Sequence, residues 1–459
     1  MQLRQAIQEI SGMKYMTGSL NVLSPIGKNY LYDLPFLTTK DEIEAVLNDT
    51  EAMVDLLKEN TRENNLNLLY TKIMQLRDIS GTIRRLETGI VLNDIEFFEI
   101  KHLAILSEYI RETVFNIGLS CIQIPDLTDV IQMLDPENKR ISHFYIYNQY
   151  SVLLNELRER LKHNLQNETA TENLQCEAEL EEDRIRKELT QKLSVHSLEI
   201  KKALTEIARL DVLLAKGIQT CEMNLSRPAI DLSETAFTGL FHPEIKYLLS
   251  QQHKNFQPVD ISVPQSPTVI TGANMSGKSV TLQSVALVQT MAQFGFYVPA
   301  ASAIITPVEK IVVSVSEAVN ETGGLSSFAS EMLRLNTMIE NAHNRVSQLI
   351  LIDEPARTTN PKEGNAIVCG IVDFLKQYQV RSLITTHYSV DTNCRKLRVK
   401  GFTPHGSKEK ITVQNINSYI DYSLEETNET EVPQEAIKIA EIVGVDSELL
   451  EYAKNYLKH

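Results

Sequence analysis

The residues best suited to chemistry lie in "GANMSGKS", Gly272 to Ser279, which has the spacing G-x-x-x-x-G-K-[ST]. Glycines there let backbone N–H groups turn inward around a phosphate. The lysine brings a point charge to the β and γ phosphates, and the serine hydroxyl can ligate magnesium. The stretch follows the strand-like "TVIT" and precedes a helical run, whose N-terminus would add partial positive charge. The expected nucleotide contacts are Gly272, Ala273, Asn274, Met275, Ser276, Gly277, Lys278, Ser279 and Val280. Downstream, the apolar run "QLILIDE" ends in two acids. Acids at strand ends also serve as helix caps, but beside a phosphate loop this pair acquires defined work. Asp353 would hold magnesium together with Ser279, and Glu354 would polarise the attacking water. "LITTHY" places His387 just past another apolar strand, where strand ends of a nucleotide-binding sheet face the ligand crevice. Taken alone, such a histidine is more often an ordinary satisfied side chain. "GGLSSFASEM", Gly323 to Met332, joins a glycine pair and a hydroxyl pair to a helix start, and by itself it reads as a capped helix.

The elements that must position these groups change in character along the chain. From about residue 38 to 220 the sequence is poor in Gly and carries helical spacing throughout. In "EIKKALTEIARLDVLLAKG" the residues Ile200, Leu204, Ile207, Leu210 and Leu214 share one face, and Gly217 reads as the C-terminal stop. The polar, acidic run from Asn167 to Asp183 reads as a turn between two long helices, or their solvated tip. After about residue 226, β-branched runs such as "KIVVSVS" and "RSLITTH" alternate with helical patterns. This predicts an α/β domain with a largely parallel sheet. The tail, Pro433 to His459, reads as two short amphipathic helices around "VGVD".

The whole chain bounds these readings. Its 459 residues leave room for about two to three domains. Five widely spaced cysteines without a CxxC pair suggest neither a disulfide framework nor a zinc site. No apolar stretch approaches membrane-span length and the N-terminal residues lack a signal-like apolar region, so the expected location is cytoplasmic. A net charge of -15 weighs against a phosphate backbone as the main partner.

Together these motifs resemble the MutS family. "TGANMSGKS" is similar to its Walker A form, "MAQFGFYVPA" to the segment that follows, "SSFASEM" to its Ser-Thr-Phe-Met-x-Glu-Met signature, and "LILIDE" and "TTHY" to its Walker B and switch histidine. "RPAI", "HPEI" and "NFQPVDI" fall upstream in family-like order. The resemblance implies a multidomain α and α/β chain. A helical core and lever domain over 1–225 would precede a P-loop NTPase domain of ABC type over 226–432 and a helical dimerisation tail over 433–459. It implies ATP and magnesium as ligands, His387 as a sensor of the γ-phosphate, and Phe256 as the aromatic that stacks on adenine, a residue otherwise readable as core. It also implies a head-to-tail homodimer in which Ser326, with Ser327 next, faces the γ-phosphate of the other subunit. The lack of an LSGGQ-type sequence makes transporter-like or SMC-like ATPases the weaker assignment.

The sequence departs from the family in three places. No segment matches the Phe-x-Glu mismatch reader or the connector, so direct mismatch reading is not expected; "FFE" at Phe97 to Glu99 lies in a helical, core-like stretch. Where a β-rich DNA clamp would fall, "CEAELEEDRIRK" carries five acids and three bases. After Walker B the family tends to read Ile-Gly-Arg-Gly-Thr, and here the chain reads "PARTT". The expected function is an ATP-dependent, dimeric, DNA-binding ATPase of the mismatch-repair and recombination family. The rival expectation is an ATP-driven remodeller or reactivating factor for a protein client, such as a cobalamin-dependent aminomutase.

Overall fold

The computed structural model describes the chain except residues 60–62, 142, 164–167, 274–275, 315–326, 404–418, 429–436, 438–439, 442–443 and 457–459. It has the mixed helical and α/β character that the change in sequence texture predicts. The helices of the first half are α1 (Leu3–Glu9), α2 (Met13–Gly18), α3 (Pro25–Tyr32), α4 (Lys40–Lys58), α5 (Glu63–Ile73), α6 (Ser80–Glu87), α7 (Asp94–Ile117), α8 (Thr128–Leu134), α9 (Val152–His163), α10 (Glu168–Ser194) and α11 (Ser197–Met223). Two compact units form: one from residues 21–34 and 51–218, the other from 1–20, 35–50 and 219–459. The division therefore falls within α4 and α11 rather than at residue 225, and α1 and α2 join the α/β unit.

In the helical unit, Phe97, Ile100, Ala104, Ile110 and Val114 of α7 share one apolar core with Leu189 and Leu193 of α10 and Ile200, Leu204, Ile207, Leu210 and Leu214 of α11. Two expectations are corrected here. Of the two readings of the acidic run, the turn is overturned, because Glu168 to Asp183 forms the first turns of α10, whose described residues 171–177 are mostly exposed as a solvated tip would be; Asn167 lies outside the described residues. Ala178, Glu181, Ile185, Leu189 and Leu193 are buried at helical spacing, a narrow stripe that the polar majority hides from composition. A turn at 195–196 separates α10 from α11. Nor does Gly217 stop α11, which continues to Met223. A Cβ at Gly217 would come within 2.8 Å of both Met53 and Leu57, so its missing side chain makes room for α4.

The α/β unit holds a four-stranded sheet built from β1 (Ala229–Ile230), β2 (Ala236–Leu240), β3 (Val259–Ser262) and β5 (Ser302–Ile305), in the order β1-β5-β2-β3. Its second sheet is formed by β4 (Pro267–Thr271), β6 (Lys310–Ser314), β7 (Gln348–Asp353), β8 (Arg381–Thr385), β9 (Arg395–Phe402) and β10 (Ile420–Glu426), ordered β10-β9-β4-β8-β7-β6. All its pairings are parallel except β10 with β9. Helices α12 (Pro243–Gln251), α13 (Lys278–Gln293), α14 (Ser327–His343) and α15 (Pro361–Gln377) complete the unit, with a further helix over Ser447–Tyr456. Ile350 and Ile352 of β7 pack with Leu335 and Met338 of α14 and Val368 and Val372 of α15. Their neighbours Leu349 and Leu351 point to the other face, where buried α13 lies. Burial on both faces explains why β7 reads as an unbroken apolar run. The first of the two expected tail helices falls largely outside the described residues.

Candidate nucleotide site

Parallel pairing brings the ends of β4, β7 and β8 level, since Ile270 and Asp353 both register with Thr385. The loops that follow them therefore emerge at the same edge of the sheet, the position where open parallel sheets bind ligands. From β4 the chain passes through residues 272–277 into α13, which Gly277 opens at φ +79° without a side-chain cap. The first N–H groups of a sixteen-residue helix thus have no side-chain acceptor.

Lys278 is only 4% exposed. Its Nζ donates to the carbonyl oxygens of Gly272, at 3.0 Å, and Ala273, at 2.9 Å. Burial pushes this ammonium below its ordinary pKa, opposed by the charges of Glu354 and Asp353. The Ser276 hydroxyl is buried with no hydrogen-bond partner. A buried cation, an orphaned hydroxyl and an uncapped helix start together suit an anion such as a phosphate.

Glu354 lies across from this loop, its Oε1 4.0 Å from Lys278 Nζ. The same oxygen is 2.5 Å from His387 Nε2, while Arg357 reaches Oε2 at 3.2 Å. The His387 hydrogen bond, aided by the nearby positive charges, outweighs burial and holds the Glu354 carboxyl below its ordinary pKa. Asp353 is buried and accepts a 2.5 Å hydrogen bond from the Thr385 hydroxyl. Thr385 in turn accepts the Glu354 N–H through both its hydroxyl, at 3.0 Å, and its carbonyl, at 3.1 Å. Two acids adjacent in sequence thereby receive different partners: one is pinned to the sheet, the other faces the cations.

Phe256 lines a cavity of about 270 Å³ that also touches Gly277 and Val280. Tyr422 of β10 lines it too, and sequence reasoning missed this residue. A Cβ on Gly277 would fall 2.9 Å from the Tyr422 ring, so the glycine admits the ring against the loop. Gln257 holds that strand by donating to Asp421 at 2.8 Å and accepting the Tyr422 N–H at 3.1 Å. No local pattern marks a tyrosine so far along the chain; only the pairing of β10 with β9 brings it back. Ser279 follows Lys278 in the first turn of α13, and Ser327 is the first residue of α14. Asn274, Met275 and Ser326 lie outside the described residues.

Residues 268–459 match the family model of MutS domain V. Over this region the chain is similar to the MutS family. It is 29% identical over 294 residues to an endonuclease MutS2 of Caldanaerobacter subterraneus, covering 62% of this chain and 35% of that protein. It is 31% identical over 272 residues to a DNA mismatch repair protein MutS of Desulfatibacillum aliphaticivorans, covering 56% of this chain and 29% of the relative. A longer alignment, 26% identical over 372 residues, relates it to the MutS of Clostridium kluyveri and covers 80% of this chain and 39% of the other. The chain thus spans well under half the length of each of these MutS relatives. Among the described residues no helix is long and apolar enough to cross a membrane.

Proposed function

We propose that this chain is a MutS-family P-loop ATPase that hydrolyses ATP at the 272–279 loop and couples turnover to DNA. The observation that carries this reading is the convergence of Lys278, Glu354 and His387 from the segments that follow three separate strands, β4, β7 and β8. In this reading phosphate oxygens replace the Gly272 and Ala273 carbonyls as acceptors for Lys278, and Ser276 and the first N–H groups of α13 supply further donors. Exchanging neutral acceptors for an anion restores the charge stabilisation that burial removes from Lys278. Glu354, kept ionised, orients and polarises the attacking water, and His387 holds that carboxylate in place and senses the γ-phosphate. Phe256 and Tyr422 offer aromatic surface to the base.

Among the described residues no three His, Cys, Asp or Glu side chains gather as a metal set. Magnesium would therefore be held by Asp353 and Ser279 together with phosphate oxygens and water, and would neutralise charge between the phosphates. The composite site of a homodimer, with Ser326 facing the partner's γ-phosphate, belongs to the same proposal. Its support is the family relationship.

Two relatives named for mismatch repair and one named an endonuclease make DNA the proposed partner. The test is phosphate release by the full chain, with and without duplex and branched DNA, at several salt concentrations. Hydrolysis that disappears in Lys278→Ala and rises with DNA, with a steep loss of affinity as salt increases, is expected. Undiminished hydrolysis by Lys278→Ala would sink the site. Absence of DNA binding at low salt would shift the reading to a protein client. One feature of α10 favours that second reading: Arg184 is paired with Glu181 and Glu188, and Arg186 with Asp94, Glu182 and Asp183. Basic groups neutralised in this way are poor phosphate contacts.

A further inference from the structure

The backbone that carries Glu354 is held in an unusual way. Glu354 has φ +48° and Ala356 φ +57°, two non-glycine residues in the left-handed region on either side of Pro355. Such backbone is costly, and a residue before proline is further pushed toward extended geometry. It persists only where the surroundings determine it. The Glu354 end is fixed by the two acceptors of Thr385. The Ala356 end is fully buried and gripped on both its polar groups. Its N–H donates to Glu331 Oε1 at 3.1 Å, and its carbonyl accepts from the Tyr388 hydroxyl at 3.0 Å.

Glu331 stands on α14, and Tyr388 directly follows His387. Tyr388 is itself located by its N–H to Thr386 Oγ1, at 3.0 Å, and by the bare backbone of Gly364, where a Cβ would fall 2.4 Å from the tyrosine oxygen. Neither Glu331 nor Tyr388 has a role in the phosphate chemistry described above.

We infer that Glu331 and Tyr388 are positioning residues that clamp Ala356 and so aim the Glu354 carboxylate, tying α14 to the hydrolytic loop of its own chain. The inference rests on the proposed role of Glu354. Its consequence is directional. In the paired-site reading α14 begins beside the segment that meets the partner's nucleotide, so a displacement of α14 is delivered through Glu331 to the carboxylate of the other site. One chain would then sense one nucleotide and act on another.

Burial pushes the Glu331 carboxyl above its ordinary pKa, opposed by the Ala356 N–H and the charge of Arg334. An amide keeps the carbonyl acceptor that the Ala356 N–H uses, so Glu331→Gln tests that acceptor by itself. Steady-state turnover and equilibrium ATP binding would be measured on the full chain for Glu331→Ala, Glu331→Gln, Tyr388→Phe and Lys278→Ala. Glu331→Ala should lower turnover by about tenfold to a hundredfold, as loss of aim does, with ATP affinity held within about twofold. Glu331→Gln should restore most of that loss, and Tyr388→Phe should lower turnover by a smaller factor in the same sense.

If Lys278→Ala abolishes hydrolysis while Glu331→Ala and Tyr388→Phe turn over like the parent, the clamp is wrong and the nucleotide site stands. If Glu331→Gln is as impaired as Glu331→Ala, the carbonyl acceptor is not what matters and the clamp is likewise overturned. If Lys278→Ala hydrolyses normally, the site itself falls and the clamp falls with it.

Discussion

Lys101 of the helical unit and Lys278 of the α/β unit are both buried, and they end in opposite situations. Lys101 Nζ lies 3.2 Å from Asp135 Oδ1 and donates to the Tyr147 hydroxyl at 3.3 Å, while that hydroxyl donates to the same aspartate oxygen at 2.8 Å. The backbone N–H of Arg140 adds a 2.7 Å bond to the other oxygen. The triangle is closed: cation, anion and hydroxyl satisfy one another. Among the described residues Lys278 meets only neutral carbonyls at hydrogen-bond distance, and the carboxylate of Glu354 is 4.0 Å away and shared with His387 and Arg357. Burial with a full partner makes a strut; burial with a partial one leaves a charge available to a ligand.

The same substitution in the two units should separate these roles. Lys101→Met leaves Asp135 buried without its cation, and about 3–5 kcal/mol of stability should be lost, read by denaturant unfolding, with ATP affinity unchanged in what remains folded. Lys278→Met should do the reverse. Turnover should fall by about 10²–10³-fold while unfolding shifts little, because the charge removed has no full partner to strand. Equal loss of stability in both variants would break the comparison.

A smaller effect tests the edge of the site. Tyr422→Ala should weaken ATP binding by about tenfold, within the range of about 1–3 kcal/mol for removing an aromatic from a base, and Tyr422→Phe should keep most of the affinity. The smallest effect is expected on the surface of the helical unit. Arg186→Ala breaks contacts with Asp94, Glu182 and Asp183, yet partly exposed pairs are screened, so about 1 kcal/mol or less should be lost, and less again at high salt.

The two units also differed in how far they could be read in advance. Strands β4, β7 and β8 were legible because burial on both faces leaves continuous β-branched runs, and the 272–279 loop stood out because its spacing is one that phosphate chemistry constrains over consecutive residues. Gly217 was misread because a glycine near the end of a helical pattern looks the same whether it terminates the helix or admits a neighbour; Met53 and Leu57 decide which. The acidic start of α10 was misread because its buried stripe is a minority of its residues. Tyr422 lay in no motif, and Glu331 and Tyr388 lay inside the "SSFASEM" and "TTHY" motifs without being picked out, since their contacts run to backbone atoms of a residue distant in sequence.

By itself, then, the sequence determined the chemistry that consecutive residues can encode: a phosphate-type loop, a strand ending in two acids, and the helical or strand period of each segment. Tertiary structure alone decided that Asp353 is tied to Thr385 while Glu354 faces Lys278, His387 and Arg357, that Tyr422 leans on Gly277, and that Ala356 is gripped from α14 and from Tyr388. The physical reason is that these pairings depend on which strand ends register side by side and which backbone groups remain to be satisfied. Both are set by hydrogen bonds between segments that the linear order keeps apart.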